Sequence, residues 1–253
     1  MSFIKYDIGL LILFVMLTSL FLYKRRKNLK KEGLLFLYRT SWGIKLIDYM
    51  GEKYKRTLDF LSYISIGLGY ILMAAMLYLF GQIVWVYVAL PQIVQQIKVP
   101  PIMPLIPYID KVVPGLPSFY FIYFIIILAI IAITHEFAHG IFATRNKVKI
   151  KTTGFGFFPF FLPVFLAAFV ELDEKEMVKK DNFAQRSILS AGTFANLLTG
   201  IFFFGVIWIF FLFAFTPSGI VFDSYVASAV PIENISSVNG VLLISPSYEN
   251  ILE

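Results

Sequence analysis

Residues 119–140 read FYFIYFIIILAIIAITHEFAHG, and this stretch decides how the rest of the chain must be arranged. From Phe119 to about Ala143 it supplies the roughly 20 apolar residues that a helix rising about 1.5 Å per residue needs to cross a hydrocarbon core about 30 Å thick. Near its end come His135, Glu136 and His139, three ionisable groups in five positions. Even on the lenient insertion scale each costs about 2.5–3.5 kcal/mol at the centre of a membrane helix, so they need a compensating partner. Sixteen residues separate Phe119 from His135, or roughly 24 Å of helix, which places the group inside the membrane near one face.

The composition around this stretch agrees with a bilayer setting. Of 253 residues, 58% are hydrophobic and 15% charged, against about half and a quarter in a soluble domain. That excludes a typical soluble enzyme. Twenty-two Lys and Arg against sixteen Asp and Glu give a net charge of +6, but the basic residues form blocks between apolar runs, unlike the basic face of a nucleic-acid binder. Four spans are expected, at about 3–23, 61–90, 119–143 and 187–215. The first has no small-residue cleavage site and carries its charges, Lys24 to Lys27, at the wrong end for a signal peptide. Residues 24–56 hold eleven Lys and Arg and residues 144–186 hold eight, so both segments are assigned to the cytosol and the N-terminus to the outside. A fifth apolar run, Gly154 to Val170 (GFGFFPFFLPVFLAAFV), would break this charge segregation if it spanned. Its glycines, prolines, Phe and Val favour extended chain over helix, and it is read as a re-entrant non-helical segment whose backbone must be paired inside the protein. Leu34 to Arg56 reads either as a helix lying in the inner interface or as an ordinary cytosolic hairpin.

On a helix, His135 and His139 at i and i+4 face the same way and can bind one Zn²⁺, with Glu136 placed to act on a water. Zinc acidifies such a water, and a neighbouring carboxylate that takes its proton prepares the attack on a peptide carbonyl. The five-residue pattern also arises by accident in soluble proteins. Within a lipid-embedded helix the rival reading is an ion or proton relay in a transporter, or a non-catalytic scaffold. A relay usually needs ionisable partners on adjacent helices, and the interiors of the second and fourth spans hold none. On the fourth span Gly192, Asn196 and Gly200 form a small-residue stripe. It is a helix-packing face, or else a place where Asn196 bonds an extended substrate or a group near the metal.

This ordered set resembles the site-2 protease family of intramembrane zinc metalloproteases. The resemblance covers residues from about 100 to 216: the HExxH helix, the re-entrant stretch, the charged run Glu171 to Arg186 and the Gly-x-x-x-Asn helix. It implies cleavage of a transmembrane protein substrate near the cytosolic face of the bilayer, with His135 and His139 as zinc ligands and Glu136 as catalytic base. Gly192 and Asn196 match the family's Gly-Pro-x-x-Asn element at the substrate, although Thr193 stands where Pro is usual. No nucleic acid partner is expected, and the oligomeric state is left open.

The fold class expected is therefore an all-α polytopic membrane protein. Its metalloprotease core occupies residues 1–216, and the start of a PDZ-like β module lies outside the cytosol at residues 217–253, where Asn239-Gly240 signals a hairpin. The family's third zinc ligand is an Asp followed by Gly, and no Asp here is followed by Gly. Asp173 is the nearest imitation, in a charged segment that should be solvated. The ligand is thus expected beyond residue 253, so that these residues alone would hold zinc weakly and would not cleave. The charge segregation generates a topology test on this cysteine-free background. Single cysteines at Asn182 and Ser218 should label from opposite sides of the membrane, and labelling from the same side would overturn the arrangement.

Overall fold

The computed structural model describes residues 3–33, 35–96, 102, 106–113, 116–157, 166–215, 232–238 and 241–242. In chain order the elements are α1 (Phe3–Lys24), β1 (Leu29–Glu32), β2 (Leu35–Thr40), α2 (Ile44–Lys53), α3 (Lys55–Ala89), α4 (Pro91–Gln96), α5 (Phe121–Arg145), β3 (Ile150–Phe157), β4 (Leu166–Leu172), α6 (Glu174–Val178) and α7 (Asn182–Ala214). Four of these, α1, α3, α5 and α7, are long and apolar enough to cross a membrane. The described residues form two compact units, 1–206 and 207–253.

The helices α3 and α7 begin six and five residues earlier than the apolar runs that announce them. Helical hydrogen bonding continues into polar sequence wherever side chains can be paired. At the start of α3 that pairing is the ion pair of Asp59 with Arg145, the last residue of α5.

The chain is not all-α. Four strands form an antiparallel sheet in the order β1-β2-β3-β4. Phe36 pairs with Phe157 and Thr40 with Thr153 across β2 and β3, and Phe157 pairs with Leu166 and Thr153 with Val170 across β3 and β4. The described parts of the stretch 154–170, residues 154–157 and 166–170, are extended; residues 158–165, and with them the question of re-entry, lie outside the described residues. Its extended backbone needs partners, and β2 supplies them from a region that reads by composition as an interfacial helix or cytosolic hairpin. The apolar run Leu35-Phe36-Leu37-Tyr38 suits a strand or a helix equally well, and pairing with β3 settles the choice. The helix expected there is confined to α2.

The core of the first unit lies where α3, α5 and α7 meet. Leu58, Ala138, Phe142, Val148, Ile188, Ala191 and Phe194 are buried together. Against this core α2 lies across the end of α5, with Ile47 fully buried in the notch left by Gly140 and Asp48 accepting a hydrogen bond from Thr144 Oγ1 at 2.9 Å. The C-terminal halves of α3 and α7 expose Ile71, Leu77, Val88, Ile201, Phe204 and Trp208, a surface suited to lipid. In the second unit, Ser237 pairs with Leu242 and Val238 with Val241 in antiparallel fashion; Asn239 and Gly240 themselves lie outside the described residues. The other residues assigned to a PDZ-like module lie mostly outside the described ones.

One buried carboxylate fixes α1 to the start of α5. Asp7, only 3% exposed, accepts hydrogen bonds from Phe121 N at 2.7 Å, Ile122 N at 3.0 Å and Tyr108 Oη at 2.5 Å. It thus serves from another helix as the cap that α5 lacks in its own sequence, and it opposes the positive end of that helix dipole. Burial and the Asp7 carboxylate push the Tyr108 hydroxyl well above its ordinary range, which keeps it protonated and donating. Replacing Asp7 by Ala strands three donors, one buried and two partly buried. The expected loss is on the order of 1–3 kcal/mol, read from denaturant unfolding of the full-length protein in detergent; unchanged stability would overturn the role of this cap.

Candidate active site

His135 and His139 project from α5 one turn apart, and their Nε2 atoms lie 3.1 Å from each other. Two imidazole nitrogens on one tetrahedral zinc ion, each about 2.0–2.1 Å from it, sit about 3.3 Å apart. The pair therefore has the spacing that such an ion requires. Among the described residues no group of three His, Asp or Glu converges on one point, so these two are the donors that the described chain offers.

The far nitrogen of each ring is held. His139 Nδ1 lies 2.7 Å from the carbonyl oxygen of Ile188 on α7. A carbonyl only accepts, so Nδ1 carries the proton and the Nε2 lone pair is left free for a metal. His135 Nδ1 lies 3.1 Å from Asn196 Nδ2. Here the amide donates, so Nδ1 accepts and the proton sits on Nε2, facing His139. The other end of the same amide, Asn196 Oδ1, is buried with no hydrogen-bond partner among the described residues. Turning the amide over would put Oδ1 on a protonated Nδ1, satisfy the orphaned oxygen and free the second Nε2 lone pair. The donor set fits a zinc ion on this ground as well.

Gly192 explains how α7 comes so close. A Cβ there would lie 2.4 Å from His135 Nε2 and 2.5 Å from His139 Nε2, so no larger residue fits without moving both rings. A Cβ at Gly200, two turns on, would have nothing within 4 Å among the described residues. The stripe is thus no continuous packing face: Gly192 and Asn196 meet the histidines, and Gly200 meets nothing. Thr193, which stands where the resembled pattern usually has Pro, donates from Oγ1 back to Ser190 O at 2.9 Å within its own helix.

Glu136 points the other way, toward the sheet. Its Oε2 accepts a hydrogen bond from Val170 N on β4 at 2.9 Å. Beside it Trp42, Phe137, Thr153, Phe169 and Val170 enclose a space of about 20 Å³, room for one water molecule. Asp173 is committed elsewhere. It caps α6, accepting from Lys175 N at 3.0 Å and Glu176 N at 3.3 Å, and pairs with Lys151 at 3.6 Å. Desolvation acts to raise its carboxyl, but those amides and the Lys151 ammonium outweigh it and hold the group below the usual carboxylate range. The Ile188 carbonyl and the Val170 amide are functional groups that sequence reasoning missed, because a backbone group carries no residue-type signal. Trp42 was visible only as an interfacial aromatic.

Gly192→Ala should displace both rings and lower zinc affinity roughly 10-fold or more, read by metal analysis of the purified full-length protein. Gly200→Ala, in open space, should leave zinc content unchanged. Equal zinc in the two variants would overturn the close-approach argument.

The family model for peptidase family M50 matches residues 123–251, half of the chain. No curated protein and no solved structure matches it.

Proposed function

The chain belongs to peptidase family M50, and from that premise we propose that it is a zinc-dependent endopeptidase that cuts a peptide bond within a substrate's transmembrane helix, near the cytosolic face of the bilayer. Family membership and four membrane-length helices together make it a multi-pass membrane protein of a protease family. The observation that carries the finer reading is the pair of imidazoles converging at 3.1 Å, each held at its far nitrogen, with Glu136 one residue from the first.

A zinc ion at His135 and His139 would supply a Lewis acid for the scissile carbonyl and acidify a water. The remaining steps belong to this chain's own residues. Glu136, one residue from the first imidazole, leaves the Val170 amide to take the proton of the attacking water and later delivers it to the leaving amine. The Ile188 carbonyl and Asn196 hold the two rings in register, and Gly192 keeps their Nε2 atoms accessible.

Helical backbone hides its carbonyls in internal hydrogen bonds, so a substrate must unwind before it is cut. The end strand β4 is the place for the unwound segment. It is the last strand of the sheet, and its Val170 amide already reaches Glu136 on the side away from β3. An extended substrate adding to that edge lies against the catalytic carboxylate, a form of β-strand addition. The hairpin of β3 and β4 is then the re-entrant segment, with its backbone satisfied by β2 and α5. The N-terminus lies outside the cytosol, which puts the inner ends of α3, α5 and α7 at the cytosolic face.

Glu136→Gln keeps the shape and removes the base. Cleavage of a transmembrane substrate by the full-length protein in proteoliposomes should fall on the order of 100-fold or more while zinc content stays unchanged. Cleavage at the wild-type rate would overturn the mechanism.

A further inference from the structure

A groove on the lipid-facing side of the molecule, where α3 and α7 run together, has no part in the site described above. It encloses about 350 Å³. Its walls are Gly69, Tyr70 and Met73 of α3 and Leu189 and Thr193 of α7, and Arg186 stands at the end nearest the start of both helices. At its floor the helices are joined by the hydroxyls of Ser65 and Ser190, 2.7 Å apart, where Gly69 lets Ser190 approach. Successive residues turn by about 100° on a helix. The groove face of α7, centred on Arg186, Leu189 and Thr193, is thus roughly 70° round from the face that carries Gly192 and Asn196, and neither histidine lines the groove.

We propose that this groove binds one anionic phospholipid of the inner leaflet, its phosphate on Arg186 and an acyl chain along Tyr70, Met73 and Leu189. Three observations bear on the choice. First, Arg186 makes no ion pair or hydrogen bond among the described residues, whereas Arg145 pairs with Asp59 and Arg39 with Glu32. A guanidinium is permanently charged and presents planar donors that match a phosphate, and at the edge of the hydrocarbon it needs that counter-charge. Second, Tyr70, Met73 and Leu189 are 49%, 55% and 67% exposed, an apolar wall open to the bilayer. Third, Lys179 and Lys180 precede Arg186 closely in the chain, and Lys180 O is tied to the first turn of α7 by Gln185 Nε2 at 2.8 Å. With Asp181 beside them these lysines still leave the segment before α7 net positive, and together with Arg186 at the groove that charge favours a net-negative headgroup over a zwitterionic one.

The test is native mass spectrometry of the full-length protein released from vesicles of equal parts phosphatidylglycerol and phosphatidylcholine with identical acyl chains. The wild type should retain one phosphatidylglycerol in preference to phosphatidylcholine. Arg186→Gln, at an exposed position that does not endanger folding, should lower that adduct at least 10-fold, and Thr193→Leu, which fills the groove, should lower it while Arg186 is intact. Lys5→Gln, at the opposite end of the membrane, should leave it unchanged. Equal retention of the two lipids, an adduct undiminished in both groove variants, or a protein dimer in place of the lipid adduct would overturn the proposal.

Discussion

Three ionisable side chains within five residues of an apolar helix must be satisfied without bulk water, and much of the arrangement around α5 follows from that requirement. Each is answered from a different place. The Ile188 carbonyl accepts a hydrogen bond from His139 Nδ1, Asn196 meets His135, and the Val170 amide donates to Glu136. The first two partners come from α7 and the third from β4, so the inner half of α5 is clasped between a helix and a sheet. The two sides divide the chemistry as well: the imidazoles face α7, where Gly192 makes the close approach possible, and the carboxylate faces the sheet and the small space beside Trp42.

The sheet exists because the glycine, proline and aromatic stretch after α5 cannot continue as helix, and extended backbone at a membrane must find its hydrogen bonds within the protein. The strand β2 provides them, and Thr153 Oγ1 reinforces the junction by donating to Trp42 O at 2.6 Å. That junction also sets Trp42 over Phe137, with ring centroids 6.1 Å apart. One hydrogen-bonded unit thus positions the Val170 amide, one wall of the space at Glu136 and an end strand. The outer end of α5 is anchored separately by Asp7. The helix that carries the site is therefore fixed at both ends by groups far away in the chain.

By itself the sequence determined the four spans, the HExxH helix and the family resemblance, because length, hydropathy and i/i+4 spacing are local properties. It also pointed to extended chain at residues 154–157 and 166–170, where the strands β3 and β4 form. It left β2 ambiguous, as Leu35 to Tyr38 is apolar at both the helical and the strand period. Asp7 was legible in principle, being a carboxylate inside a span, and such a residue needs a named partner; nothing in the local pattern said that the partner was the open end of α5. The tertiary structure alone decided which face of α7 meets the histidines, and so why Gly192 must be glycine while Gly200 faces nothing. It alone supplied the Ile188 carbonyl and the Val170 amide. The reason is physical: spacing along a chain fixes which side chains share a face, but every residue other than proline carries the same backbone amide and carbonyl, and only packing determines which of them is carried to a charge that needs it.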